Sequence, residues 1–299
     1  MKLVVTGGTG FIGRPLCQAL VADGHDLVVL TRRPHAPASQ LRCQTWSAGW
    51  ESVLDDAEGV INLAGEPVVA KRWTAAQKAR IASSRIDTTR ALVEAMRKAP
   101  RKPRVLINAS AVGYYGPRGD ELVTEQDPPG DDFLSHICQQ WEAAAQEAEA
   151  LGVAVVRLRI GIVLAHDGGA LAKMLPAFRL GLGGPLGSGR QWMSWIHRDD
   201  VIGLIRSVLA TSEHFQLGLP LNATAPNPVT MREFAKTLGR VLHRPAIAPA
   251  PAWVLRLALG EMAEMLLTGQ KVIPAESLLL GYAFRYPTLS EALQACVAR

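Results

Sequence analysis

The chain has 299 residues, 48% of them hydrophobic and 20% charged, which is ordinary globular usage and enough for one large domain or two modest ones. Its net charge of +5 comes from basic residues spread along the sequence, with no aromatic-interleaved basic stripe, so no nucleic-acid partner is expected. No run of about 18 apolar residues occurs, which excludes a spanning helix, and on that ground no membrane partner is expected.

The N-terminus runs from Met1 straight into a strand-like segment. That leaves no room for a leader, so the cytoplasm is the expected compartment. Cys17, Cys43, Cys138 and Cys296 lie far apart with no C-x-x-C pair, a pattern for packed, reduced thiols rather than a metal site or a disulfide framework.

Strands are expected at Lys2–Val5, Asp26–Leu30, Val60–Leu63, Val105–Ala109 and Ala154–Arg159, each a continuous apolar run suited to a sheet buried on both faces. Helices are expected between them at Phe11–Ala22, Ala75–Lys98 and Phe133–Ala150. Thr74 with Gln77 three residues on reads as a capping box opening the second of these. The alternation of strand and helix predicts an α/β fold with a doubly wound parallel sheet and right-handed crossovers.

Past Leu164 the pattern changes. A helix at Ala170–Leu180 precedes Gly181–Gly189, a stretch so rich in glycine that it is expected to be a mobile flap. Asp199 or Asp200 is placed to cap a helix over Val201–Ala210 that returns the chain to the main domain. Prolines at 226, 228, 245, 249 and 251 punctuate helices near Met231–Leu242 and Trp253–Leu267. The expected division is a main domain of residues 1–165 and 196–223, and a smaller, mostly helical C-terminal lobe of residues 166–195 and 224–299.

The segment Thr6-Gly7-Gly8-Thr9-Gly10-Phe11-Ile12-Gly13 joins the first strand to the first helix. Gly7 suits a tight turn, Gly10 a close backbone approach to a pyrophosphate, and Gly13 close helix–strand packing. The helix N-terminus then offers free N–H groups and its positive dipole end. Strand, spacing and helix together give a Rossmann dinucleotide fingerprint. The second strand ends in Thr31-Arg32-Arg33 instead of the acidic residue that would hold a ribose 2′-OH. Guanidinium groups there match a 2′-phosphate, so NADP(H) is the expected cofactor.

Further along stand Asn62-Leu63-Ala64-Gly65-Glu66-Pro67, Ser83-Ser84-Arg85-Ile86, Ser110-Ala111-Val112-Gly113-Tyr114-Tyr115-Gly116, residues 187–197, Thr224–Thr230 and Gly269-Gln270-Lys271-Val272. With these motifs the sequence resembles the extended short-chain dehydrogenases/reductases, and within them an atypical "epimerase family" branch with its own C-terminal domain. The resemblance implies that Leu63 and Ala64 border the adenosine and ribose, and that Arg85 reaches the cofactor phosphates or ribose. It also implies hydride-transfer chemistry on a small polar substrate, with Ser110 in the position of the family's active-site hydroxyl.

The family's helix Tyr-x-x-x-Lys pair is missing: Leu134 and Cys138 occupy those positions in the register anchored at Glu142. Leucine has no proton to transfer, and cysteine lacks the fixed positive charge. The expected catalytic pair is therefore Ser110, orienting substrate, and Tyr115, moving the proton. Other readings stay open: a reactive Cys138, a phenol from Tyr114, and a Ser110–His197–Asp199 triad against a purely capping His197. Trp192 and Trp195 either line a substrate pocket or pack their strand. Two function classes remain, an NADP(H)-dependent enzyme and an NADP(H) sensor without turnover.

Overall fold

A computed structural model describes residues 1–32, 42–211 and 218–298. In chain order β1 (Lys2–Thr6), α1 (Gly13–Ala22), β2 (Asp26–Thr31), β3 (Arg42–Thr45) and β4 (Gly59–Asn62) come first. The long helix α2 (Ala75–Lys98) leads to β5 (Val105–Ala111), β6 (Leu122–Val123), α3 (Phe133–Gln146), β7 (Ala154–Ile160) and β8 (Ile162–Ala165). Then follow α4 (Gly169–Arg179), β9 (Trp192–Met193), β10 (Trp195–His197), α5 (Arg198–Thr211), β11 (Leu219–Ala223) and β12 (Val229–Thr230). The chain closes with α6 (Met231–Leu242), α7 (Ala252–Leu259), α8 (Glu264–Leu267), β13 (Lys271–Val272), α9 (Ala275–Leu279) and α10 (Leu289–Val297).

Seven strands form one sheet in the order β11-β7-β5-β4-β1-β2-β3, with every pair parallel. Both faces are covered, as strand alternation requires. Leu3 and Val5 pack with Leu16 and Leu20 of α1 and Ile205 of α5, while Val4, Val28 and Val60 pack with Leu92 and Met96 of α2. A third cluster joins Leu171, Leu175 and Phe178 of α4 to Trp195, Phe234 and Leu238 of α6, and Leu293 of α10.

The five expected sheet strands are present, and β3 and β11 extend the sheet at its two edges. Neither reads as a strand in isolation: β3 is Arg-Cys-Gln-Thr, and β11 carries Pro220. An edge strand tolerates both, since it needs partners on one side only. The expected helix Trp253–Leu267 is broken at Gly260, where φ is +63°. The third helix ends at Gln146, and a 3₁₀ segment follows to Leu151. At Thr74 half of the capping box forms: the hydroxyl accepts from the Gln77 N–H, but the buried Gln77 amide has no partner among the described residues.

Candidate functional site

Parallel sheets bind ligands beyond the carboxyl ends of their strands, where the strand order reverses. Here that point lies between β1 and β4, and the glycine loop stands over it. Gly7 has φ +68°, and a Cβ there would lie 2.5 Å from the Leu63 carbonyl oxygen. A Cβ on Gly13 would meet the Gly7 carbonyl oxygen at 2.2 Å, and one on Gly8 would meet Val29 Cγ1 at 2.8 Å. Close packing onto the sheet therefore falls to Gly8, whereas Gly13 brings the helix onto its own loop, a correction to the role expected of it.

No side chain among the described residues caps α1, so its positive dipole end meets the space above the sheet, although the Arg14 N–H is already bonded to the Gly10 carbonyl at 3.0 Å and Pro15 has none. That space is a cavity of about 550 Å³ whose wall includes Gly7, Gly10, Phe11, Ile12, Leu63, Ala64 and Arg85. Thr9 is exposed on the loop outside that wall. Thr31 is buried at the end of β2 and Arg32 is exposed beside it, while Arg33 lies outside the described residues.

Beneath the wall a buried network fixes the strand ends. Thr6 Oγ1 donates to Asn62 Oδ1, and Asn62 Nδ2 donates to Asn108 Oδ1 at 2.7 Å and to Thr89 Oγ1 at 2.8 Å. Arg85 lies in the cavity wall with Nη1 donating to the carbonyls of Ile81 (2.9 Å) and Glu66 (3.1 Å), and with Trp141 behind it. Burial draws the Arg85 pKa below the usual arginine value.

Ser110, at the end of β5, is on the same wall. Its hydroxyl donates to Glu142 Oε1 at 2.6 Å. Arg159 holds both oxygens of that carboxylate, Nε to Oε1 and Nη2 to Oε2, each at 2.9 Å. The serine proton is thus committed to Glu142, which leaves the Ser110 oxygen only as an acceptor, with the Cys138 side chain also within hydrogen-bond reach of it. Leu134 and Cys138 of α3 also line the wall. Burial pushes the Cys138 thiol up to about 12, so it is an inert thiol at neutral pH.

Tyr115 does not join this site. Its side chain is fully buried behind the wall, where the phenol donates to Asn222 Oδ1 at 2.7 Å and accepts from Arg159 Nη1 at 2.9 Å. Burial, partly offset by Arg159, pushes its pKa up to about 12. The acid/base role expected of Tyr115 finds no support in this geometry, since both hydrogen bonds of the phenol are used inside the protein and the residue is not part of the cavity wall. Tyr114 lies off the wall as well, its ring centroid 3.5 Å from the Arg159 guanidinium carbon.

The Ser110–His197–Asp199 arrangement does not form. His197 Nδ1 accepts the Asp199 N–H at 3.1 Å, the capping role at the start of α5. Asp200 caps nothing; its carboxylate accepts the backbone N–H groups of Arg285 and Tyr286. Trp195 is fully buried and packs the third cluster, whereas Trp192 lines the cavity and donates to Asp120 Oδ1 at 2.7 Å.

The far wall comes from residues to which the sequence assigned no role: Ser194, Met265, Thr268, Gly269 and Gln270. Ser194 Oγ donates to the Gln270 carbonyl (2.7 Å) and accepts the Val272 N–H (3.0 Å), and Gln270 Nε2 donates to the Val112 carbonyl (2.8 Å). Gly269 is required because a Cβ would stand 2.1 Å from the Trp192 carbonyl oxygen. The signals in the sequence were the motifs themselves, 187–197 for Ser194 and Gly269–Val272 for Gly269 and Gln270.

Gly181–Gly189, expected as a free flap, is tied down instead. The Gly187 N–H donates to the Ala250 carbonyl (2.8 Å), the Ala250 N–H to Pro185 (3.0 Å), and the Ala248 N–H to Gly183 (3.2 Å). Its glycines allow two backbones to approach: a Cβ on Gly184 would lie 2.1 Å from the Ala248 carbonyl oxygen. The segment contributes nothing to the cavity wall.

Among the described residues no cluster of three or more His, Cys, Asp or Glu side chains could hold a metal ion, and no helix is long and apolar enough to cross a membrane. The NAD dependent epimerase/dehydratase family matches residues 3–218, and a domain of unknown function, DUF1731, matches residues 250–296. The chain is 41% identical over 304 residues to the chloroplastic epimerase family protein SDR39U1 homolog of Arabidopsis thaliana, covering 99% of this chain and 86% of that one. It is 39% identical over 305 residues to the epimerase family protein YfhF of Bacillus subtilis, covering 100% and 98%. The crystal structure of human epimerase family protein SDR39U1 (isoform 2) with NADPH superposes with a TM-score of 0.89 at 37% identity, covering 100% of this chain and 99% of that one.

Proposed function

Because the chain belongs to the NAD dependent epimerase/dehydratase family, we propose that its cleft takes NADP(H) and that it is an oxidoreductase or epimerase for a small polar substrate carrying a hydroxyl group. The observation that carries this reading is that the glycine loop and Ser110 open onto one cavity. The residues fit the cofactor: a Cβ would fill the cradle at Gly7, α1 opens without a side-chain cap, and Arg32 is exposed where a 2′-phosphate would be read. The relative solved with NADPH supports the same choice.

Gly7, Gly10, Phe11 and Ile12 would hold the phosphates, Leu63 and Ala64 the adenosine side, and Arg32 the 2′-phosphate. The cofactor, when bound, supplies hydride donation and acceptance. Ser110 accepts a hydrogen bond from the substrate hydroxyl. As that proton moves onto Ser110 Oγ, the serine proton passes to Glu142 Oε1, to which it is already bonded. Arg159 keeps the carboxylate in place throughout. Residues 166–195 and 224–299 form the substrate-side lobe in this proposal, supported by their own apolar cluster and by Trp192, Met265 and Gln270 on the wall.

Leu134 and Cys138 favour a second reading, a protein that binds NADP(H) without turnover. The two are separated by following NADPH fluorescence with a panel of carbonyl and sugar-nucleotide substrates. Oxidation that is lost in Ser110→Ala supports the enzyme; tight binding with no turnover across the panel supports the sensor. The cofactor assignment is tested apart from either. Calorimetry on Arg32→Ala should show NADPH weakened by about 1.5–3 kcal/mol, the size of a lost charge-assisted hydrogen bond, with NADH nearly unchanged. Equal losses for both dinucleotides overturn it.

A further inference from the structure

Helix α7 reads Ala-Trp-Val-Leu-Arg-Leu-Ala-Leu, apolar around nearly its whole circumference, yet none of its residues is buried. Trp253 is 68% exposed and Leu257 74%. A helix with that composition belongs in a core or against a non-aqueous phase. Leu180, Leu182 and Ile247 on the stretches that precede it are exposed as well, the last by 82%. The two stretches that carry these side chains are joined by the backbone hydrogen bonds between 183–187 and 248–250, and by Arg244 Nε donating to the Arg179 carbonyl at 3.1 Å.

Charge selects the partner. Residues 168–198 and 234–260 contain no aspartate or glutamate. They present Lys173, Arg179, Arg190, Arg240, Arg244 and Arg256 to solvent. Arg256 is bonded to Glu264 beyond the end of the stretch, at 2.7 Å. A second copy of the chain packed on this face by two-fold symmetry would set these cations against one another.

We propose that this face docks on an anionic lipid surface. Trp253, Leu257 and Ile247 enter the boundary between headgroups and acyl chains, and the surrounding guanidinium and ammonium groups meet the lipid phosphates. The helix lies on the bilayer and does not cross it. The lack of a spanning helix excluded only the crossing kind of membrane partner. Since α8 follows α7 closely and carries Met265 onto the cavity wall, docking sets the cleft beside the membrane.

The test is co-sedimentation of the full chain with vesicles of phosphatidylcholine alone and of phosphatidylcholine with phosphatidylglycerol. The expected result is salt-sensitive binding to the second kind only. Arg179→Gln and Arg244→Gln should weaken it roughly fivefold each. The pair Trp253→Ser and Leu257→Ser, substitutions in water-exposed side chains, should weaken it more than tenfold with the melting temperature held. No binding to anionic vesicles overturns the proposal. So does a dimer in sedimentation velocity that the Trp253→Ser, Leu257→Ser pair dissolves, since the face is then a contact between copies.

Discussion

Ser110 and Arg159 sit directly opposite each other in the β5–β7 ladder, and both reach the same Glu142 carboxylate on the helix above. Partners in register on neighbouring strands point to one face, so strand register alone delivers the serine hydroxyl and the guanidinium to a single acceptor. Glu142 and Arg159 are both about 2% exposed.

Removing one member of a buried ion pair leaves the other charge uncompensated. Glu142→Gln should therefore cost about 3–5 kcal/mol in urea unfolding. Ser110→Ala removes one hydrogen bond to a charged group and should cost roughly 1.5–3 kcal/mol. If Glu142→Gln is no more damaging than Ser110→Ala, the carboxylate is not the centre of this network.

Glu125 sets a pH dependence. It is buried; Oε1 accepts the Asn222 N–H at 2.9 Å, and Oε2 has no partner among the described residues. Burial raises its pKa, partly offset by the Asn222 N–H. A carboxyl with a raised folded pKa binds more protons folded than unfolded, so its contribution is fully present below the unfolded value of about 4.3 and is lost as pH climbs from there through the folded value. Glu125→Gln should raise stability at pH 7 and lose that advantage as pH falls from the raised folded value down to about 4.3. Melting curves across this range check it; an equal gain at every pH would mean that ionisation plays no part.

The glycine-rich segment should behave as ordered backbone. Amide exchange at Gly187 and Ala250 is expected to be slow in the ligand-free protein, because both N–H groups are bonded across the pairing. Gly184→Ala should destabilise by about 1–3 kcal/mol, the usual range for forcing atoms into a filled site. Fast exchange at both amides would restore the flap.

The five inner sheet strands, the long helix and the phosphate loop were legible because their signals are local. An apolar run, a capping threonine and a glycine spacing each sit within a few residues. The rest depends on partners distant in sequence. Nothing near Tyr115 announces that Arg159 and Asn222 enclose it, and nothing near Gly184 shows that Ala248 lies against it. Glycine density was read as mobility, although the same lack of a side chain is what lets two backbones pair. Ser110 was correctly placed by its strand end, but the direction of its hydrogen bond depends on Glu142, 32 residues away.

The segment from Gly269 to Ile273 is stitched into the sheet end on every side. The Arg118 N–H donates to Gly269, Gln270 bonds Val112, β13 pairs with β6, and Asn222 Nδ2 donates to Ile273. The region before residue 218 is thus no detachable cassette onto which other caps could be grafted. A chain cut before residue 250 would lose the far rim of its cleft and bare the polar end of β11 to water, while the glycine loop, its sequence untouched, would face half a binding site. Shuffling at this boundary calls for exchanging β6, the 112–118 turn and the C-terminal strand together, as one inherited block.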